Sequence, residues 1–143
     1  MVIEDLIGQE LVSEWREIAQ ERVNLFAEAT DDAQWIHVDP ERAAQGPFGT
    51  TIAHGFLTLS LVVPLFEEAL PALEGYSLTV NYGLNRVRFT APVPVDSRIR
   101  GRFRVEAVEP VAGGVQARVA ATIESEGQEK PVCVAEALFR FLD

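Results

Sequence analysis

Residues 52–70 read Ile52-Ala-His-Gly-Phe56-Leu-Thr-Leu-Ser60-Leu-Val-Val-Pro64-Leu-Phe66-Glu-Glu-Ala-Leu70. Leu57, Leu59, Leu61, Val62, Val63, Leu65 and Phe66 surround the axis of any helix built here and leave no clear polar face. A helix that is apolar all round is a buried one. Pro64 predicts a bend or one weakened turn. Glu67 and Glu68 mark the emergence into solvent, and Pro71 ends the helix.

Downstream, the period changes from helix to strand. Tyr76, Leu78, Val80, Tyr82 and Leu84 alternate with polar or small residues, the period of a half-buried strand. The apolar parity then slips to Val87 and Phe89, which predicts a bulge or kink near Gly83 to Asn85. Ile99, Gly101, Phe103 and Val105 alternate with Arg98, Arg100, Arg102 and Arg104 in a second strand, and Gly113-Gly114 makes a turn. Val115 to Ile123 and Cys133 to Phe141 complete four long antiparallel strands, each with one apolar face.

An apolar helix followed by four such strands is buried only if the sheet curls around it, an α+β arrangement. One sheet covers one side of the helix. The other side requires the N-terminal segment or a second subunit, so a homodimer is expected.

Upstream, Glu10 to Ile18 reads as a strand and Glu21 to Ala29 as a short helix on which Val23, Leu25, Phe26 and Ala29 can share a face. From Thr30 to Thr50 the chain turns polar and irregular. Within it, Pro40 opens one helical turn with Asp39 as its cap.

The chain has 143 residues, which predicts a single domain over 1–143. Its composition, 48% hydrophobic and 24% charged, fits a packed globular core and excludes disorder. No apolar run approaches the ~20 residues of a membrane helix, and no secretory signal is visible at the start, so the expectation is cytoplasmic. The net charge of −10 argues against nucleic acid or an anionic membrane as partner. The single Cys133 rules out an internal disulfide or a Cys-rich metal cluster and reads as an inert core thiol.

Chemistry concentrates in the irregular segment. It carries Asp31, Asp32, His37 and Asp39, then His54 and Gly55, and the chain has only 2 histidines. Asp32 and His37, five apart in a bent loop, allow a carboxylate and an imidazole to converge on one water and share acid and base work. Gly55 opens the apolar helix, where first-turn N–H groups lack partners and a glycine lets a carbonyl oxygen approach. The plainer reading of Gly55 is tight backbone packing. His54 reads as a brace for the loop through hydrogen bonds rather than as a base.

Two blocks then resemble a known family. They are Phe26-Ala-x-x-Thr30-x-Asp32-x-x-x-x-His37-x-Asp39-x-x-x-Ala43 continuing to Pro47-Phe48-Gly49-x-Thr51-Ile52-Ala53-His54-Gly55, and Tyr82-Gly-Leu-Asn85-Arg86-Val-Arg88-Phe89-x-x-Pro92-Val93. Together they resemble the MaoC-like dehydratases, the (R)-specific type-2 enoyl-CoA hydratases, over roughly residues 10–142. The variant Gln34-Trp35-Ile36-His37-Val38-Asp39 is most similar to the nodulation-protein-N-like branch.

The resemblance implies a hot-dog fold, in which a sheet wraps a long helix. It also implies reversible syn addition of water to a trans-2-enoyl-CoA thioester, without metal or other cofactor. Carried over, Asp32 and His37 hold and activate the water, and the Gly55 N–H supports the thioester oxygen. Arg86 and Arg88, within the second block, are candidates for the substrate's phosphates.

Two departures stand out. Gln34-Trp35 replaces the commoner Asn-Pro, which bears on loop shape and acyl-pocket width, where Trp35, Phe48, Phe56 and Leu57 are possible lining. Asp31 stands where glycine is frequent, and would perturb Asp32 if the two carboxylates converged.

Competing readings are an acyl-CoA thioesterase and a non-catalytic acyl-binding or heterodimer subunit. The Asp32–His37 pair speaks against both. His37, Asp39 and His54 also match a two-histidine, one-carboxylate metal pattern, but Asp39 is more simply a helix cap. The arginine ladder reads first as the solvated face of a strand and second as a phosphate-binding surface.

Overall fold

The computed structural model describes residues 1–143. Six strands form one antiparallel sheet: β1 (Glu10–Val12), β2 (Arg16–Glu17), β3 (Leu78–Arg88), β4 (Arg98–Val111), β5 (Gly114–Ser125) and β6 (Cys133–Leu142). The order across the sheet is β1-β4-β5-β6-β3, with β2 also pairing β4. The expected N-terminal strand is therefore two short pieces. They part around Ser13, whose side chain accepts the Gly101 N–H at 2.9 Å.

In β4, β5 and β6 the alternation holds as expected. Ile99, Phe103, Val105, Ala117, Val119, Ala121, Ile123, Cys133, Ala137, Phe139 and Phe141 are buried on the inner face. The turn at Gly113 has φ 82°, which a glycine adopts without the Cβ penalty.

The apolar segment packs on that inner face as two helices, α4 (Gly55–Ser60) and α5 (Val62–Ala69). The long helix expected from the sequence is thus broken at Leu61, one turn before Pro64. Proline cannot donate to the Ser60 carbonyl and its ring crowds that carbonyl. The Leu61 N–H is consequently shared between the Leu57 and Thr58 carbonyls, 3.2 Å from each. Leu65 and Phe66 are fully buried, and Phe66 lies between the rings of Phe103 and Phe139, at centroid distances of 5.2 and 4.8 Å. Truncating such a side chain to alanine costs ~3–5 kcal/mol.

The helix is not buried all round within the chain. Phe56 is 69% exposed. With Leu59 and Val63 it borders an open apolar groove, of about 180 Å³, whose far wall is Asn81 and Leu84 of β3.

β3 departs furthest from expectation. It is exposed along nearly its whole length instead of half-buried. Its pairing puts Thr79 opposite Phe141 and Asn81 opposite Phe139 on the inner face, so the apolar Leu78, Val80 and Tyr82 point outward. Register shifts at Asn81/Gly83 and Leu84/Arg86, where the parity slip predicted them, then turn Leu84 and Val87 inward. Asn81 looks onto the open groove and Thr79 onto a second hollow beside Leu70 and Leu73, so nothing there demands an apolar residue.

The N-terminal half supplies the rest of the cover. A 3₁₀ turn at Ile3–Leu6, which carries no periodicity to read, buries Ile3 and Leu6. The helix α1 (Gln20–Thr30) buries Val23 and Ala27, while Leu25 and Ala29 are exposed, so its inner face is rotated from the expected one. In the otherwise irregular segment lie the expected turn at Pro40, α3 (Pro40–Ala44), and one that was not expected, α2 (Trp35–Val38). Asp39 caps α3 as expected, accepting the Arg42 N–H at 3.1 Å.

Candidate active site

His37 and His54 meet at the end of the helical segment. His37 sits on the single turn of α2, and His54 is the residue before α4. Their rings stack with centroids 3.8 Å apart and planes 22° from parallel. Both are buried. Phe26 of α1 closes the far side of His54, with ring centroids 4.8 Å apart.

The hydrogen bonds fix which nitrogen carries the proton. His37 Nδ1 lies 2.7 Å from the Ile52 carbonyl, and His54 Nε2 lies 2.8 Å from the Asp32 main-chain carbonyl. A carbonyl only accepts, so each of those nitrogens donates. The neutral His37 therefore presents a bare Nε2, and the neutral His54 a bare Nδ1. The Nδ1 of His54 is buried and meets no donor.

Burial opposes a charge on His37 and is the main reason its pKa lies below the ordinary 6.5; the bond to Ile52 raises it, His54 lowers it and Asp32 raises it. The result is a neutral imidazole with one lone pair free, next to a carboxylate that favours its protonated form.

Asp32 follows the end of α1. Asp31, the preceding residue, adopts the left-handed conformation at φ 62°, ψ 18°. That conformation suits glycine and is tolerated by aspartate, which accounts for the departure from glycine at this position. It also sends the two acids apart. Asp31 lines a hollow with Asn24, Glu28 and Val38, whereas Asp32 faces the two histidines.

The donor atoms of Asp32, His37 and His54 lie within 4.8 Å of one another. A metal ion needs each imidazole lone pair in its ring plane and aimed at a common point. Nearly parallel stacked rings send their lone pairs side by side, so the arrangement suits proton transfer better than ligation.

Gly55 is the first residue of α4, and its N–H has no intrahelical partner. A Cβ at this position would come within 2.9 Å of the Phe89 ring, so any larger residue has to displace that ring. Beside it opens a hollow of about 370 Å³ lined by Phe48, Ile52, Thr58, Phe89 and Pro92 among others. Trp35 does not border it. Its ring packs on Gly46 and under the Arg42 guanidinium, 4.3 Å from the ring centroid. As the first residue of α2, Trp35 occupies the helical position at which a proline is also accepted.

Arg86 and Arg88 lie on β3 opposite Glu136 and Val134, on the outer face. Phe89, the residue after them, reaches Gly55 from the inner side. Within one chain the two arginines are thus on the other side of the sheet from His37. The arginine ladder of β4 is likewise outward, and each member has a partner. Arg98 pairs with Glu126, Arg100 and Arg102 share Glu124, Arg102 also reaches Glu10, and Arg104 donates to the Gly8 carbonyl. Cys133 is buried, and desolvation pushes its thiol up to about 11.

One participant carried no readable signal. The Gln20 side chain, at the start of α1, donates to the His37 carbonyl at 2.7 Å and accepts from the hydroxyl of Thr51. A glutamine at a helix start has no spacing or pattern that distinguishes it.

Comparisons with known proteins identify the family and the fold. The MaoC-like domain model matches residues 2–128. The chain is 57% identical over 137 residues to 3-hydroxyacyl-thioester dehydratase Z of Mycobacterium tuberculosis, covering 95% of this chain and 88% of that protein. It is 46% identical over 132 residues to nodulation protein N of Rhizobium leguminosarum bv. viciae, covering 90% and 82%. Among solved structures, an (R)-hydratase from A. caviae involved in PHA biosynthesis superposes with a TM-score of 0.78 at 25% identity, over 94% of this chain and 96% of that one. The fold is the hot-dog fold, and the chain belongs to the MaoC-like dehydratase family, on the side of the nodulation-protein-N relatives.

Proposed function

We propose that this protein is an (R)-specific enoyl-thioester hydratase and 3-hydroxyacyl-thioester dehydratase, with coenzyme A as the thioester carrier. The observation that carries the reading is the bare Nε2 of a neutral, buried His37 next to Asp32. The relatives named as a dehydratase and an (R)-hydratase supply the reaction class.

In the hydration direction, a water held by the Asp32 carboxylate gives a proton to His37 Nε2, and its hydroxyl adds to C3 of the enoyl chain. Electron density moves to the thioester oxygen, where the Gly55 N–H donates to the developing enolate. The His37 imidazolium then returns the proton to C2 on the same face. One water is split, one O–H bond breaks, C–O and C–H bonds form, and His37 ends neutral. The negative charge of Asp32 stabilises the imidazolium between the two transfers.

The reading also includes a homodimer. β3 is the edge of the sheet, its outer edge is unpaired, and the adjoining groove with Phe56, Leu59 and Val63 is open. A second copy laid on this side would cover both, removing an apolar patch and an edge strand together. Sedimentation of the purified protein is expected to give twice the chain mass. A monomer at micromolar concentration would reject this part.

The activity test is hydration of crotonyl-CoA, followed as loss of enoyl-thioester absorbance with the product resolved by chirality. The (R)-3-hydroxyacyl product supports the reading. Free coenzyme A without hydration would indicate a thioesterase, and inactivity on short, medium and long enoyl-CoAs would indicate a binding subunit.

A further inference from the structure

We propose that Gln20 is a positioning residue of this site: its side-chain amide clasps the His37 turn to the Thr51–Ile52 segment and so holds His37 against the Ile52 carbonyl. The proposal rests on the reading of His37 as the base.

The two segments are far apart in sequence and are joined at few points. Ile52 donates its N–H to the Ile36 carbonyl at 3.0 Å, and His37 Nδ1 donates to the Ile52 carbonyl at 2.7 Å. Gln20 adds the third tie, from a different element. One amide hydrogen goes to the His37 carbonyl at 2.7 Å, the other to Asn24 Oδ1 at 2.9 Å, and the amide oxygen accepts from Thr51 Oγ1. Thr51 is 1% exposed, so its hydroxyl has no alternative partner in solvent.

The chemistry of the clasp is specific. It needs a donor toward the carbonyl of residue 37 and an acceptor toward the hydroxyl of residue 51 at the end of one side chain, which an amide supplies. Glutamate has the same length but would set a carboxylate oxygen against the His37 carbonyl oxygen. Gln20 is uncharged and acts on His37 through geometry. The titratable groups that face His37 are Asp32, ahead of α2, and His54, ahead of α4. If the clasp opens, the His37 turn drifts from Ile52 and water enters. The Nε2 lone pair is then misaimed and the burial that keeps the ring neutral is relieved.

The test compares Gln20→Ala, Gln20→Glu, Thr51→Val and Asn24→Ala on crotonyl-CoA across a pH series, with the His37 imidazole titrated by NMR in each. Expected for both Gln20 variants is a fall in kcat of ~10-fold or more with KM changed by ~2-fold or less. The acid limb of the rate profile and the His37 titration should both move up toward ordinary histidine. Thr51→Val removes one arm without changing side-chain shape much and should move both readouts the same way by less. Asn24→Ala, which loses only the solvent-side contact, should leave both unchanged. Wild-type kcat and an unmoved His37 titration in both folded Gln20 variants would overturn the clasp. If the wild type itself does not turn over, the proposed function fails, and the His37 titration in Gln20→Ala and Thr51→Val still decides for or against the clasp.

Discussion

The arginine ladder on the outer face of β4 and the histidine stack beside α4 are both clusters of polar side chains, and they differ in how much bonding capacity the fold uses up. Every arginine of the ladder ends on an acid or a carbonyl, and Arg100 also lies over the Trp15 ring, 4.2 Å from its centroid. The histidines each spend one nitrogen on a main-chain carbonyl and keep the other bare. A charge on the outer face whose bonds are all taken contributes modest stability and little chemistry. A buried ring with an unspent lone pair is costly to keep and is where a reaction can be run.

The sharpest way to break that contrast is to remove one member from each cluster. His37→Gln and Asp32→Asn are each expected to lower the hydration rate by ~10²-fold or more, as loss of a general acid–base group does. Glu124→Gln, which strips the shared partner from Arg100 and Arg102, should leave the rate unchanged and cost ~1 kcal/mol or less of stability by denaturant titration. A rate loss in Glu124→Gln similar to that of His37→Gln would mean the ladder takes part after all.

His54 sharpens the comparison further, because it has two separable jobs. His54→Gln keeps a donor for the Asp32 carbonyl and loses the stack; His54→Phe keeps the stack and loses the donor. The phenylalanine variant should show ~10-fold lower kcat, since the Asp32 loop loses its anchor. The glutamine variant should lose less, and rates for both are read on crotonyl-CoA.

The pH dependence of stability separates the clusters in a different way. His37 binds a proton less readily in the folded chain than at its ordinary value of 6.5. The unfolded chain therefore takes up the proton first, and stability declines as pH falls through about 6.5 until the folded value is passed. The difference between wild type and His37→Gln in denaturant midpoints should show this decline in that window and be flat above it. The smallest effect is expected at Asp31, whose φ of 62° favours glycine. Asp31→Gly should raise stability by roughly 0.5–1 kcal/mol in the same titration, with no change in rate.

What could be read from the sequence follows from what leaves a period. β4, β5 and β6 bury one face against a filled core, so their alternation was legible down to the turn at Gly113. β3 shows an equally clear alternation but turns Leu78, Val80 and Tyr82 outward, because the inward-facing Thr79 and Asn81 meet open hollows. Periodicity reports that a strand has two different faces; it does not say which one the core takes. The turn of α2 and the 3₁₀ turn at Ile3–Leu6 are too short to carry any period, yet α2 holds His37. Asp32, His37 and Gly55 were legible as a motif. His54 was legible as the brace of that loop, and its Nε2 does hold the Asp32 carbonyl. The tie from Gln20 was not, since it spans 17 residues and depends on a main-chain carbonyl that a sequence does not distinguish.

The most direct test of the central claim is the ¹⁵N imidazole spectrum of the protein as a function of pH. With only 2 histidines, assignment needs one variant. Expected at neutral pH are His37 as the uncharged Nδ1–H tautomer with bare Nε2, a proton on His54 Nε2, and a His37 titration midpoint below 6.5. A His37 ring that is charged at neutral pH, or that carries its proton on Nε2, would contradict the assignment of that nitrogen as the base.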